Sequence, residues 1–597
     1  MATNPYAYSH EQVRAAFIDP LRSAMLIDDR FPPYAELLIE ATLPGNEAKQ
    51  RDVGEVQALL NQCRQRGLMC DIENRYQDAG KPLSHIETSD LLVLDYHLVS
   101  GDDTDSGPAL TILGNLAKTP YANLVVVYTA APELEVIKRG IAAYFHGVPP
   151  QTSVSDEYLQ LSPILASTFT VEDLEGYLLK GYAGISGATK GAFAQEIRAS
   201  GLTANVTEIV TQSIHDLLRD DFRAPDFEAD RNGVRNLLFS RNGSENIWIA
   251  YDNVFVVLVK KSQQKDIFSE LEAALLAWNP SPLQLLLVHA RNYLHRNGFL
   301  ADWRVIANEI RHNAFFYHFL AGEEPSSKAR ISQLFRNVFS DALEGVSEYV
   351  SSCGAELLGN YTRAGECLPG ESAVQMETRR LDLARIAARS QSKVPRSAVL
   401  HELNLYLSSS PFVGSHLKTG SIFKSSEAQD ERYWVCVTAD CSLVPRAPAD
   451  KKSWEADLYP NVPVIALRLD VERGRTFDES LTNATRGRHL FITLDGERLS
   501  LRISTEDARQ PRPEIFILEN NCIEQPGGTF RACSIHSSKQ ADEHQPELRR
   551  RVFQVVGQLR PSYADRVLTQ TGHHTTRIGV DFVSLAFEGE DAAEGDT

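Results

Sequence analysis

Short apolar runs alternate with helical spacings through residues 1–150. Ser23–Ile27 (SAMLI), Leu68–Ile72 (LMCDI), Leu91–Leu94 (LLVL) and Leu124–Tyr128 (LVVVY) are strand length and almost wholly apolar. Between them, Val53–Arg66 sets Val56, Leu59, Leu60 and Cys63 on one helical face. Gly107–Ala117 and Pro132–Phe145 read as further helices, the latter with proline in its first turn. Apolar strands separated by helices predict a parallel sheet covered on both faces, a doubly wound α/β domain. Its end is placed near residue 185, in GYAGISGATKG, and Leu161–Leu179 has room for a last strand and helix.

Residues 186–394 read as mainly helical, with one β-hairpin at 246–261 (NIWIAYDNVFVVLVKK), where Asp252-Asn253 supplies the turn. Helical spacing follows in Lys265–Trp278 and again through Ile331, Leu334, Phe335, Val338, Phe339 and Val346. From residue 395 strands dominate: YWVCVTA, VPVIALRLDV, HLFITL, LSLRIS, PEIFILE and IGVDFVSLAF predict a β-rich domain over 395–587, with a helix at Pro546–Leu559. The tail 588–597 (EGEDAAEGDT) is acidic and expected to be disordered.

Composition narrows the function classes. With 43% apolar and 23% charged residues, the chain has ordinary globular composition. Sixty basic against seventy-nine acidic side chains leave a net charge of −19, which argues against nucleic acid as a partner held through bulk charge. The longest apolar stretch, Val254–Val259, is strand length, which argues against membrane insertion. The start of the chain has no basic region leading into an apolar core, and the eight cysteines are scattered; a cytoplasmic protein is expected.

The informative residues stand at strand ends. Asp28 and Asp29 end the first strand, Asp95 the third and Thr129 the fourth. With strand order 2-1-3-4-5, all four converge on one pocket at the carboxyl edge of the sheet. Clustered carboxylates repel one another unless a hard cation joins them, and Mg²⁺ suits carboxylates and water. A carboxylate so placed can act as a nucleophile toward a phosphoryl donor.

The segments AMLIDDRF, LLVLDYHL and LVVVYTA resemble the receiver domain of two-component response regulators, over roughly residues 20–150. The resemblance implies a flavodoxin-like fold, Asp95 as phosphoacceptor, Thr129 as switch residue, and Asp28, Asp29 and Asp95 as Mg²⁺ ligands. It implies a histidine-kinase-like phosphodonor as partner, and a regulatory phosphoacceptor rather than a turnover enzyme. Large multidomain proteins with divergent receivers also resemble components of bacterial conflict (phage-defence) systems. The family's lysine at the end of the fifth strand has no counterpart at the usual spacing: Lys138 lies inside a helix, Lys180 is too late and His146 is not equivalent. The loop after Asp95 is acidic (Asp102, Asp103, Asp105), and an insertion is expected around Leu43–Asp52. Two readings follow: a phosphorylated regulator controlling a C-terminal output, or a pseudo-receiver scaffold that is not phosphorylated.

Other signals are weaker. Cys436 and Cys441 with His401 and His416 do not have zinc-ligand spacing, and a buried structural cysteine is the plainer reading. Asp440-Cys441 leaves open an enzymatic site in residues 395–597. His573-His574 read as loop residues, and Arg549–Arg551 as the charged flank of a helix.

Overall fold

The computed structural model describes residues 8–31, 47–74, 84–98, 105–119, 122–147, 168–201, 205–221, 237–263, 265–297, 309–320, 324–390, 393–427, 432–443, 457–473, 475–484, 489–506, 510–511, 513–524, 528–540 and 543–575. They fall into two units, Met1–Gly298 with Gly345–Arg389, and Phe299–Glu344 with Ser390–Thr597.

The first unit is built on a seven-stranded sheet, order β2-β1-β3-β4-β7-β6-β5. Its strands are β1 (Ser23–Ile27), β2 (Met69–Glu73), β3 (Leu91–Leu94), β4 (Asn123–Thr129), β5 (Leu238–Phe239), β6 (Ile247–Tyr251) and β7 (Val254–Lys260). β1 to β4 and β7 run parallel, and β6 and β5 are antiparallel additions at the edge. Alternate residues of β1, β3, β4 and β7 enter opposite cores: Ile27, Leu94, Val127 and Leu258 face one, Leu26, Val93, Val126 and Val257 the other. Burial on both faces explains why these strands read as unbroken apolar runs.

Helices α1 (Glu47–Gln65), α2 (Gly107–Lys118) and α3 (Leu134–His146) follow the first, third and fourth strands. Then α4 (Val171–Lys180), α5 (Gly187–Ala199) and α6 (Val206–Asp221) pack with α2 and α3, through Tyr177, Phe193 and Ile214. After β7 come α7 (Ile267–Trp278) and α8 (Pro282–Asn297); α7 joins α1 on the opposite face through Phe268 and Leu271.

The expected hairpin at 246–261 is present. Tyr251 pairs with Val254, and Asp252, at φ 46°, takes the left-handed conformation the tight turn requires. Its place differs from expectation: β7 pairs along its whole length with β4, from Asn123↔Val254 to Thr129↔Lys260. The hairpin therefore completes the first sheet, and residue 185 falls inside the first unit. Further along, α9 (Glu309–Leu320), α10 (Glu324–Ala364) and α11 (Ala373–Ala387) lie in the stretch expected to be helical, whereas α12 (Arg396–Ser408) opens the stretch expected to be β-rich.

The second unit contains an antiparallel barrel. β9 (Ser421–Ser425), β10 (Tyr433–Cys436), β11 (Val462–Glu472), β16 (Pro513–Leu518), β17 (Thr529–Gln540) and β18 (Glu543–Leu559) pair in a closed ring, with β10 bonded to both β9 and β11. Phe423, Trp434, Phe516, Phe530 and Phe553 fill the interior, with stacked pairs at 5.7 Å (Phe423–Trp434) and 5.5 Å (Phe530–Phe553). β13 (Glu497–Ile503) and then β12 (His489–Leu494) extend the sheet from β11, short β8 (Ser409–Ser410) pairs with β18, and β14 (Thr505–Glu506) pairs with β15 (Gln510–Pro511). The helix expected at Pro546–Leu559 is instead strand β18. Phe553 and Val555 alternate inward, and every residue from Glu543 to Gln554 has a partner on β17. Arg549, Arg550 and Arg551 lie on this strand, and Arg550 pairs with Glu519 at 2.5 Å. His573 and His574 belong to the helix Pro561–Thr575 rather than a loop. The expected strand at Ile578–Phe587 and the acidic tail lie outside the described residues.

Candidate functional site

Strand order brings the carboxyl ends of β1, β3, β4 and β7 side by side. Asp28, Asp29 and Asp95 leave their strands at this edge, and one ligand atom from each lies within 4.8 Å of the others. Asp95 continues the ladder, its N–H donating to the Ile27 carbonyl at 2.9 Å. Asp28 Oδ1 accepts from the Arg30 N–H at 2.9 Å. Thr129 is fully buried, and its Oγ1 accepts from the Ala131 N–H at 3.2 Å. All four residues expected at this pocket are thus at one sheet edge.

A cation stands at this edge: Lys261, the residue after β7. Its Nζ lies 2.6 Å from Asp28 Oδ2 and 2.6 Å from Asp95 Oδ2. The rings of Phe31 and Tyr128 stand 5.4 Å and 6.0 Å from the same nitrogen. Sequence spacing missed this lysine because residues 130–253 intervene between Thr129 and β7. The available signal was Val254–Val259, an apolar run ending in two lysines: a strand buried on both faces rather than the half-exposed arm of an isolated hairpin.

Burial sets the electrostatics. Asp28 is 1% exposed, and desolvation pushes its carboxyl up to about 6; Lys261 pulls it back, while Asp95 adds to the rise. Burial also opposes the Lys261 charge, but the two carboxylates outweigh it and hold the ammonium above its ordinary range. The three acids form an all-oxygen donor set that fits a hard divalent cation such as Mg²⁺.

Several of the other sequence candidates make structural contacts. Lys138 is fully buried on α3; its Nζ meets Glu135 at 2.6 Å, Glu175 of α4 at 2.8 Å and the Ser240 carbonyl at 3.0 Å. His146 Nδ1 lies 3.1 Å from the Leu178 carbonyl. Asp105 accepts from the Gly107 N–H at the start of α2, at 2.9 Å; Asp102 and Asp103 lie outside the described residues. Cys436 is buried in the barrel interior, whereas His401 packs between Phe477 and Phe491. The side chain of Cys441 is outside the described residues. Among the described residues, Asp28, Asp29 and Asp95 form the one group of three or more potential metal ligands.

The response receiver domain family matches residues 20–162. The match covers β1 to β4 and the four expected pocket residues, and it ends before the strand that carries Lys261. No curated protein and no solved structure matches the chain. Among the described residues, no helix is long and apolar enough to cross a membrane.

Proposed function

We propose that the receiver domain begun by residues 20–162 accepts a phosphoryl group on Asp95, and that the resulting charge change controls the rest of the chain. The observation that carries this reading is the bridge from Lys261 to Asp95 and Asp28, 2.6 Å to each, beside a third carboxylate and a buried hydroxyl. These are the groups an aspartyl-phosphate needs: a nucleophile, a fixed cation, and a hydroxyl to meet the new oxygens.

In the transfer, a carboxylate oxygen of Asp95 forms a bond to phosphorus. The bond from phosphorus to the donor's leaving atom breaks, and the leaving group keeps that electron pair. Mg²⁺ bound by Asp28, Asp29 and Asp95 would neutralise charge on the phosphoryl oxygens. Lys261 supplies a second positive charge. Thr129 is the switch residue: its hydroxyl can turn from accepting the Ala131 N–H to donating to the phosphoryl group. Lys260 donates to the Pro132 carbonyl at 2.5 Å, so the end of β7 touches both the pocket and the loop leading into α3. That contact is a route from the pocket to the helices packed on α3. The partner this chemistry calls for is a histidine-kinase-like phosphodonor, in a cytoplasmic setting.

The same bridge favours a second reading. A pocket whose two buried acids are already bridged by Lys261 has a counter-charge without a metal, and it can serve as a pseudo-receiver interaction surface. Beryllofluoride, which mimics a phosphoryl group on aspartate, separates the two. With Mg²⁺, amide exchange is expected to slow around Asp28, Asp95, Thr129 and Lys261, and not in Asp95→Asn. Unchanged exchange in both proteins would leave only the second reading.

A further inference from the structure

We propose that a cationic pocket at the opposite edge of the same sheet binds a single phosphoryl group. This inference is independent of the chemistry at Asp95. Arg22 and Asp90 immediately precede β1 and β3, at the strand ends away from the acidic pocket. With Arg291, Asn292, His295 and Arg296 of α8 they line a small cavity.

The charges there do not balance. Asp90 Oδ2 accepts from the backbone N–H groups of Arg22 at 2.9 Å and Ser23 at 3.1 Å, and from the Ser23 hydroxyl at 3.2 Å. Arg291 is half-buried and donates to the Ala122 carbonyl, just before β4, at 3.1 Å. Burial holds its guanidinium below the ordinary range, and Asp90 is the acid that offsets this. Arg22 and Arg296 are exposed at the rim, and neither makes an ion pair or a side-chain hydrogen bond among the described residues. Three guanidinium groups against one carboxylate leave +3 − 1 = +2, in a chain whose net charge is −19.

Charge and size together select the ligand. A dianion matches the excess, whereas a carboxylate would leave half of it uncompensated. The volume of the cavity open to the centre of a water-sized sphere is about 10 Å³, room for about one water molecule. It therefore admits one oxygen of a phosphoryl group and excludes a base or sugar. The rim guanidinium groups meet the remaining oxygens, for which their planar fork is suited.

The test is calorimetric titration of the full chain in Mg²⁺-free buffer at fixed ionic strength, with inorganic phosphate and with glycerol 3-phosphate. Wild type is expected to bind phosphate saturably at one site. The double variant R22Q/R296Q, changed only at exposed side chains, should keep its thermal midpoint and bind at least roughly tenfold more weakly, for the loss of charged hydrogen bonds. Asp95→Asn should bind as wild type does. Equal affinity for the two probes assigns recognition to the phosphoryl group alone; tighter binding of the ester assigns the site to a phosphoryl-bearing small molecule. The proposal is overturned if neither probe binds, if R22Q/R296Q binds unchanged, or if Asp95→Asn abolishes binding.

Discussion

The ammonium of Lys261 lies 2.6 Å from the carboxylate of Asp95, across 166 positions of sequence. The pairing of β7 with β4 creates this contact, so the pocket is complete only when a distant segment docks on the sheet. A chain ending at residue 185 would expose the edge of β4, from Leu124 to Tyr128, all now buried, and would lack the lysine. Such a fragment is expected to be aggregated or unfolded by size-exclusion chromatography and circular dichroism, whereas residues 1–389, which include all of the first unit, should be monodisperse and folded. A monodisperse, folded 1–185 fragment would contradict this account of the sheet.

Replacing Lys261 by methionine leaves two buried carboxylates facing each other without a counter-charge. The expected loss of stability is about 3 kcal/mol at neutral pH. Mg²⁺ should restore part of it, because a bound cation replaces the ammonium. Urea unfolding of Lys261→Met with and without Mg²⁺ checks both points.

Much of this was legible in the sequence, and the limit is physical. β1, β3 and β4 are buried on both faces, so their apolar runs stood out, and the acids and threonine that end them could be placed at one edge. Lys261 could not, because pairing between β4 and β7 is a tertiary choice with no local signature. The Asp252-Asn253 turn announced a hairpin correctly but not which sheet receives it. The helix expected at Pro546–Leu559 failed for a related reason. Val552, Phe553, Val555 and Val556 fit either period, and the ladder with β17 decides for a strand.

The inserted helices rest on a close backbone approach. A Cβ added at Gly176 of α4 would collide with the Gly184 carbonyl, and one at Gly184 with the Gly176 carbonyl. Backbone cannot give way as a flexible side chain does. Gly176→Ala and Gly184→Ala should each cost about 2 kcal/mol or more, read as a lower urea midpoint, while Gly187→Ala, where a Cβ meets nothing within 4 Å, should cost far less.

Asp173 makes the same region acid-sensitive. It is 2% exposed and accepts from the Thr170 N–H and hydroxyl, the Ser186 N–H and the Thr189 hydroxyl, at 2.6–3.2 Å. Burial opposes the charge, but these donors outweigh it and hold the carboxyl down at about 2. A folded-state value below the unfolded one, about 3.9, stabilises the fold above that pH, and the stabilisation is lost as pH falls toward 2. Between pH 5 and 2, wild type should lose on the order of 2 kcal/mol more than Asp173→Asn. Parallel unfolding curves for the two proteins would contradict this.

The central claim is that Asp95, completed by Lys261, is a working phosphoacceptor. Its most direct test is intact-mass measurement after incubation with acetyl phosphate. The account predicts one added phosphoryl group in wild type, dependent on Mg²⁺, absent in Asp95→Asn and strongly reduced in Lys261→Met. No added mass in wild type with Mg²⁺ present, or equal addition in Asp95→Asn, would contradict it.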